Sequence, residues 1–343
     1  MVSVQEIANL ANVSQSTVSK VLNNYPDVSE KTRKKVLEIA KQLGYVPNAS
    51  AISLVKKKSS IIGVIYEVTS GFGNLFFSAI LESFRSNAEN NGYTIILLSQ
   101  NEEKKKEYWM HCVSHNIESV FIISTKDQSV IETELKNHGI ATLTLDPLYA
   151  SSSPISTDNF EAMLLSLHYL YDLGHRAIGF IQGSLHSYVG KERLNAYLHF
   201  VKEKNLPSLF IPHIDNALYS LQQGYDTTST LLNQFDHLDA IACCSDVLAM
   251  GAIYCLQDRG YHVPNDISIM GFDDLRISEI TRPRLSTIRQ DSITIGKIAC
   301  ETLLSMNSSN QSVPPILIKA SLVVRNSTKK KESSIISTLY EFQ

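Results

Sequence analysis

Apolar positions change their period part-way along this chain. Over the first 46 residues they recur at helical spacing in three short bursts, each preceded by a serine. Ser3 followed by Glu6 forms a capping box, which predicts a first helix from Val4. Ile7, Leu10 and Ala11 give that helix one buried face. Asn12-Val13 makes a turn, Ser14 is a good N-cap for a second helix, and Val18, Val21 and Leu22 point inward. Ser29 caps a third helix with Val36, Ile39, Ala40 and Leu43 inward; Gly44 stops it and Pro47 prevents its resumption. Beyond it, Asn48 can cap a short helix through Leu54, too short to be stable alone in water.

From residue 60 the pattern becomes one of continuous apolar runs alternating with amphipathic segments. Strands are predicted at 61–66, 94–99, 119–124 and 141–146, and a helix at 75–91 ended by Gly92. The pattern then restarts, with helices at 159–173, 188–205 and 247–259 and strands at 177–183, 240–245 and 267–274. Alternating β and α units imply parallel sheets covered on both faces, and two consecutive sets suggest two similar lobes. Ligands of such sheets bind at the carboxyl ends of strands, so a cleft between lobes is the natural pocket. Asp158, Ser245-Asp246 and Asp273-Asp274 each follow an apolar strand there. An aspartate in that position is either a ligand contact or a cap of the next helix.

Charge separates the two parts. Net charge is -3, yet residues 1–58 hold nine Lys/Arg against four Asp/Glu, a balance of +5, and the remainder holds 22 against 30, a balance of -8. A basic head on an acidic body is the distribution of a nucleic-acid binder. Two short helices joined by a tight turn present the second to a major groove. Its outer face carries Gln15, Ser16, Thr17, Ser19 and Lys20, polar side chains of lengths that reach base edges and phosphates. These residues alone leave open a generic three-helix bundle with a solvated face.

Little else in the chain suggests chemistry. The five cysteines, Cys112, Cys243, Cys244, Cys255 and Cys300, form no C-x-x-C pair and read as buried thiols in a reducing cytoplasm. No apolar run approaches the length of a membrane span, and no signal core opens the chain. The ten histidines contain no H-x-x-x-H or H-E-x-x-H, Gly71-Phe72-Gly73 lacks the third glycine of a dinucleotide loop, and no phosphate-loop or nucleophile-elbow motif occurs. No enzyme activity, cofactor, metal or membrane partner is expected.

The head resembles the lactose-repressor (LacI/GalR) family of bacterial transcription regulators. The resemblance is carried by Ile7-Ala8, Ala11-Asn12-Val13-Ser14, Thr17-Val18-Ser19-Lys20-Val21-Leu22-Asn23, Val28-Ser29, Thr32-Arg33 and Gly44-Tyr45-Val46-Pro47-Asn48. It continues to about residue 328 through Asp158-Asn159, Leu173-Gly174-His175, Arg193-Leu194, the run from Ser245 to Gly251, Gly271-Phe272-Asp273-Asp274, the run from Pro283 to Thr287, and the run from Val324 to Thr328. It implies an α/β architecture: a helix-turn-helix head (1–46), a hinge helix and linker (47–59) and a two-lobed body like the periplasmic sugar-binding proteins (60–328), with two doubly wound parallel sheets. The first lobe would hold 60–157 and 288–316, the second 158–287 and 317–328, leaving a tail of 329–343 expected to be mostly disordered.

The resemblance also implies roles. Gln15 and Ser16 would choose operator bases with help from Lys20. Ser14 opens that helix, Thr17 and Ser19 would hold phosphates, and Asn23 and Tyr45 would make further backbone contacts. Asn48 would start the hinge helix and Leu54 would wedge a minor-groove step. In the body, Arg193, Asp246 and Asp273 would hydrogen-bond an effector's hydroxyls, Tyr219 would stack on it, and Phe76 would approach it from the first lobe. The implied protein is a homodimeric repressor of carbohydrate-utilisation genes, bound to an operator in double-stranded DNA and controlled by a small sugar or sugar phosphate. The alternative is a global catabolite regulator with a phosphorylated carrier protein as corepressor. The chain departs from the family pattern at Ile52 (usually Arg), Asn195-Ala196 (usually Gly second), Ser245 (commonly Asn or Thr) and the segment 216–223, which lacks an acidic residue.

Overall fold

A computed structural model of the chain describes residues 2–23, 25–45, 59–66, 75–98, 107–125, 128–146, 154–185, 187–212, 219–309 and 313–331. The hinge helix expected around Asn48 and Leu54, the Ile52 departure, and residues 332–343 lie outside them.

The head has three helices, α1 (Val4–Ala11), α2 (Gln15–Leu22) and α3 (Glu30–Gln42). Each starts where a serine side chain accepts an otherwise orphaned backbone N–H: Ser3 from Glu6, Ser14 from Thr17, Ser29 from Thr32. Glu6 reaches back to the Ser3 N–H at 2.7 Å and completes the capping box. Asn12 ends α1 in the left-handed region (φ 56°), which a short polar side chain tolerates, and so turns the chain sharply into α2. Ile7, Ala8, Ala11, Val18, Val21, Val36 and Ala40 form the core, with Leu22, Ile39, Leu43 and Tyr45 packed around it. One expectation fails. Leu10 is 59% exposed and Ala8 takes its place, because the buried stripe of α1 is centred on Ile7 and Ala11 and leans toward Ala8.

The body's first lobe is built from β1 (Ile61–Tyr66), α4 (Leu75–Asn90), β2 (Thr94–Leu98), α5 (Tyr108–Ser114), β3 (Ser119–Ser124), α6 (Gln128–Asn137), β4 (Ala141–Leu145) and β5 (Pro154–Thr157). The second runs α7 (Asn159–Asp172), β6 (Ile178–Ile181), α8 (Tyr188–Glu203), β7 (Leu209–Phe210), α9 (Leu221–Gln234), β8 (Ala240–Cys243), α10 (Asp246–Asp258), β9 (Ser268–Asp273) and β10 (Ser286–Arg289). The chain then returns to the first lobe with α11 (Ser292–Ser309) and β11 (Ile316–Ile318), and ends in the second with β12 (Ser321–Val323). The first sheet has the order β11-β5-β4-β3-β1-β2 and is parallel throughout. The second, β12-β10-β9-β8-β6-β7, is parallel except where β12 runs against β10. The buried strand centres, such as Val64, Phe121 and Leu143 in one lobe and Phe180, Ile241 and Ile269 in the other, explain why these strands read as unbroken apolar runs.

Strand pairing shifts the expected lobe boundaries. Ile288 and Arg289 pair with β9 and β12, so the return to the first lobe begins after 289 instead of at 288. Leu317 and Ile318 pair with β5, so they belong to the first lobe instead of the second. The start of the tail is also placed. The Lys331 N–H donates to the Leu173 carbonyl at 2.8 Å and its ammonium lies 2.6 Å from Asp239. Residues 329–331 are therefore strapped to the end of α7, where disorder was expected.

Candidate functional site

The outer face of α2 is polar because its inner face is spent on the head core. Gln15 and Ser16 are exposed and sit in the first turn, and Lys20 is exposed one turn later. The remaining head residues are engaged locally. Ser14 and Thr17 bond one another through their hydroxyls at 2.9 Å, Asn23 donates to the Ser19 carbonyl at 2.9 Å, and Tyr45 packs on the core. Lys20 pairs with Asp27, and that ammonium holds the Asp27 carboxyl below its ordinary range. Gln15, bonded to Gln5 of α1, and Ser16 complete this face, with basic Lys31, Lys34 and Lys35 on neighbouring α3.

The second candidate site lies at the carboxyl ends of the strands, where both sheets reverse their winding order. Its centre is Arg193 on α8, which is 3% exposed. The guanidinium donates from Nε to Asn159 at 2.9 Å and from Nη1 to the Cys244 carbonyl at 2.6 Å. It lies 4.0 Å from Asp273 and stacks on the Phe272 ring, 3.6 Å from its centroid. Asp273 closes β9 with φ 116° and is followed by Asp274 at φ 56°, two successive non-glycine residues in the left-handed region. Such geometry costs on the order of 1–3 kcal/mol per residue. It is held by Gln290, which donates to Asp273 at 2.6 Å, and by Arg289 and Arg325, which pair with Asp274. Burial lifts Asp273 to about 6 against the pull of Arg193. Asp146, just beyond β4 of the other lobe, is likewise raised by burial, is bonded by Ser156 and feels the charge of Arg193. A planar donor fork beside a carboxylate suits vicinal hydroxyls.

Two of the residues expected at the effector, Asp246 and Phe76, are engaged within their own lobes. Asp246 is fully buried and accepts from the Leu275 N–H, Ser278 and Thr287 at 2.7, 2.6 and 2.6 Å. Its oxygens tie α10 to the segment after β9 and to β10. Burial and the nearby Asp273 charge push it up to about 8. Phe76 lies on the buried stripe of α4 with Ile80 and Phe84 and belongs to the first lobe's core. Burial raises the Tyr219 phenol to about 12, against the pull of the Arg193 charge. It presses on Gly183 so closely that a Cβ there would lie 2.2 Å from the tyrosine oxygen. Asp158 caps α7 by accepting from Glu161, and Ser245 caps α10 by accepting from Leu248.

Sequence reasoning missed Asp146, Asn159 and Gln290 as members of this cluster. Asp146 carried the same signal as Asp273, an acid closing an apolar strand. Gln290 follows β10, a strand that was not predicted, so nothing marked it. Among the described residues no group of three His, Cys, Asp or Glu is placed to hold a metal ion, and no helix is long and apolar enough to cross a membrane.

Comparison with known proteins brings the two sites under one heading. Residues 3–48 match the bacterial regulatory proteins of the lacI family, and residues 167–328 match the periplasmic binding protein-like domain. The ribose operon repressor of Haemophilus influenzae is 30% identical over 333 residues, covering 95% of this chain and 98% of that protein. Catabolite control protein A of Priestia megaterium is 30% identical over 334 residues, covering 96% and 99%. The crystal structure of the lac repressor dimer bound to operator and the anti-inducer ONPF superposes with a TM-score of 0.83 at 27% identity, covering 96% of this chain and 99% of that one. With capped head helices, two parallel-sheet lobes and relatives matched from end to end, this chain belongs to the lacI family of bacterial regulatory proteins.

Proposed function

We propose that this regulator is a cytoplasmic homodimer that represses carbohydrate-utilisation genes from a near-palindromic operator and responds to a small sugar or sugar phosphate. The observation that carries this reading is one chain joining an exposed polar helix in the head to a buried donor fork, Arg193, beside Asp273 in the body. Similarity to a ribose operon repressor and to the operator-bound lac repressor supports both halves. The effector would bridge the lobes at Arg193 and Asp273, shifting the population between two body states with different affinity for DNA. Asn48 and Leu54 would transmit that shift through the hinge, with Leu54 wedging the operator. The reading includes no catalytic step and no cofactor.

A second reading has its own support. Catabolite control protein A is as similar in sequence as the ribose operon repressor. A global catabolite regulator would take a phosphorylated carrier protein as corepressor. One experiment separates the two. Purified protein is incubated with sheared DNA of its own organism, and the bound fragments are sequenced. A few palindromic sites beside transport or sugar-catabolism genes support the local repressor and nominate the effector. Many scattered sites support the global regulator. Enrichment of no sequence, with or without the phosphorylated carrier, overturns both.

A further inference from the structure

The linker joins the body at Ser59 and Ser60, and the first lobe grips it there from both sides. Oε1 of Glu118, the residue before β3, accepts from the Ser60 N–H at 3.1 Å and from the Ser59 hydroxyl at 3.3 Å. That hydroxyl in turn accepts from the Ile61 N–H at 3.3 Å. The Thr94 N–H of β2 donates to the Ser60 carbonyl at 2.9 Å, and the Glu118 N–H to the Ile61 carbonyl at 3.0 Å. The backbone N–H and carbonyl of Ser60 and of Ile61 are thus all bonded, although Ser59, Ser60 and Glu118 are only half-buried. Ser60 has φ 55°, so the chain bends through the left-handed region one residue before β1. Serine does not favour this region on its own. The Glu118 carboxylate holds the bend from one side and β2 from the other.

The place of this grip gives it a use. β1 pairs with β2 on one side and with β3 on the other, all running parallel. The anchor lies at their amino ends, and the cleft lies at the opposite, carboxyl ends. The two are separated by the six residues of β1, roughly 20 Å of strand. A central strand paired on both sides cannot bend alone, so Ser59 moves with the whole first lobe. We propose that Glu118 is a positioning residue that fixes the angle at which the linker leaves the first lobe, so that the spacing between the two heads of a dimer follows the lobes without slack. The inference rests on the proposed function, in which two heads occupy the two half-sites of one operator.

The test uses the full chain and an operator that wild type recovers from randomised double-stranded DNA. Versions of that operator are made with the centre one base pair longer or shorter, which shifts one half-site by about 3.4 Å and turns it about the axis. Binding of each is measured for wild type, Glu118→Met and Glu118→Gln. Wild type should prefer the recovered spacing. Glu118→Met keeps the stem of the side chain and removes the acceptor. It should cut that preference by roughly 5-fold, about what one net hydrogen bond supplies. Glu118→Gln keeps an oxygen for the Ser60 N–H and should retain the wild-type preference. A merely structural role for Glu118 would weaken every spacing alike and leave the ratio unchanged. Binding to non-specific DNA should not change, because the head is untouched. Hydrogen exchange at the Ser60 amide should quicken in Glu118→Met, with the melting temperature of the body preserved. If wild type recovers no operator with paired half-sites, the dimeric reading and the inference fall together. If it does, but Glu118→Met keeps the wild-type preference or Glu118→Gln loses it to the same extent, the function stands and the role of Glu118 is overturned.

Discussion

The recognition face of the head and the cleft of the body solve the same problem, holding polar side chains ready for a partner, by opposite means. In the head the residues are neighbours in sequence, lie on one exposed helix and rely on bonds to residues within a few turns, as in Ser14 with Thr17 or Asn23 with Ser19. In the cleft they arrive from α7, α8, β9 and the ends of β4 and β10, are almost wholly buried, and hold one another across separations such as the 34 residues between Asn159 and Arg193. Exposed polar groups cost little to keep, so the head can change specificity by one side chain at a time. Buried ones are costly when unpaired, so the cleft is a network in which each member depends on the others.

The strongest way to break this contrast is at Arg193. Arg193→Ala should leave Asn159 and the Cys244 carbonyl without their donor and Asp273 without its neighbouring cation, and destabilise the body by about 3–5 kcal/mol, as removal of one buried partner does. Effector binding should fall below detection. Urea unfolding and calorimetry would check both, and a mutant body as stable as wild type would show that the cleft is no more interdependent than the head.

Gly271→Ala should come next. Its Cβ would lie 2.3 Å from Asp246 and 2.8 Å from Leu285, and Asp246 has no freedom to move because three donors hold it. Overpacking of this kind costs about 1–3 kcal/mol. A thermal melt of the body unchanged from wild type would contradict the rigidity assigned to Asp246.

Asp273→Asn sharpens the comparison through pH. In the folded body Asp273 keeps its proton up to about 6, whereas the unfolded chain releases it near the ordinary 3.8. Across that interval the folded state binds more protons, so this group's contribution to stability falls as pH rises. The asparagine does not titrate. Wild type should therefore lose more melting temperature than Asp273→Asn between pH 4 and 8, by roughly a few degrees. Equal losses would mean that burial does not raise Asp273. The smallest effect is expected in the head, where Ser14→Ala removes one cap and should cost about 1 kcal/mol. Faster hydrogen exchange at the Thr17 amide, with the body unaffected, would register it.

The same contrast explains what could be read in advance. Serine caps, a turn at Asn12 and a run of α2 residues are local events, and their physics acts within four residues of chain, so the head was legible almost to the residue. Leu10 was misplaced because a short helix with small alanines can rotate its buried stripe without altering its pattern. In the body, alternation of apolar runs with amphipathic segments sufficed for two parallel sheets. Short or partly exposed elements, β5, β7, β10, β11 and β12, were missed, as were α9 and α11. Strand pairing supplies what their composition does not, and it moved the lobe boundaries by two residues.

What the sequence by itself determined is the basic capped head, the α/β body and the strand-end aspartates as a class. Only the tertiary structure decided what each of those aspartates meets. Asp273 lies 4.0 Å from Arg193 and accepts from Gln290, Asp146 accepts from Ser156, Asp158 became a cap, and Asp246 was turned to three donors from β10 and the segments after β9. An acid after an apolar strand looks the same in every case. Its role depends on which donors the folded chain brings within about 3 Å, the reach of a hydrogen bond, and that is set by contacts tens of residues away.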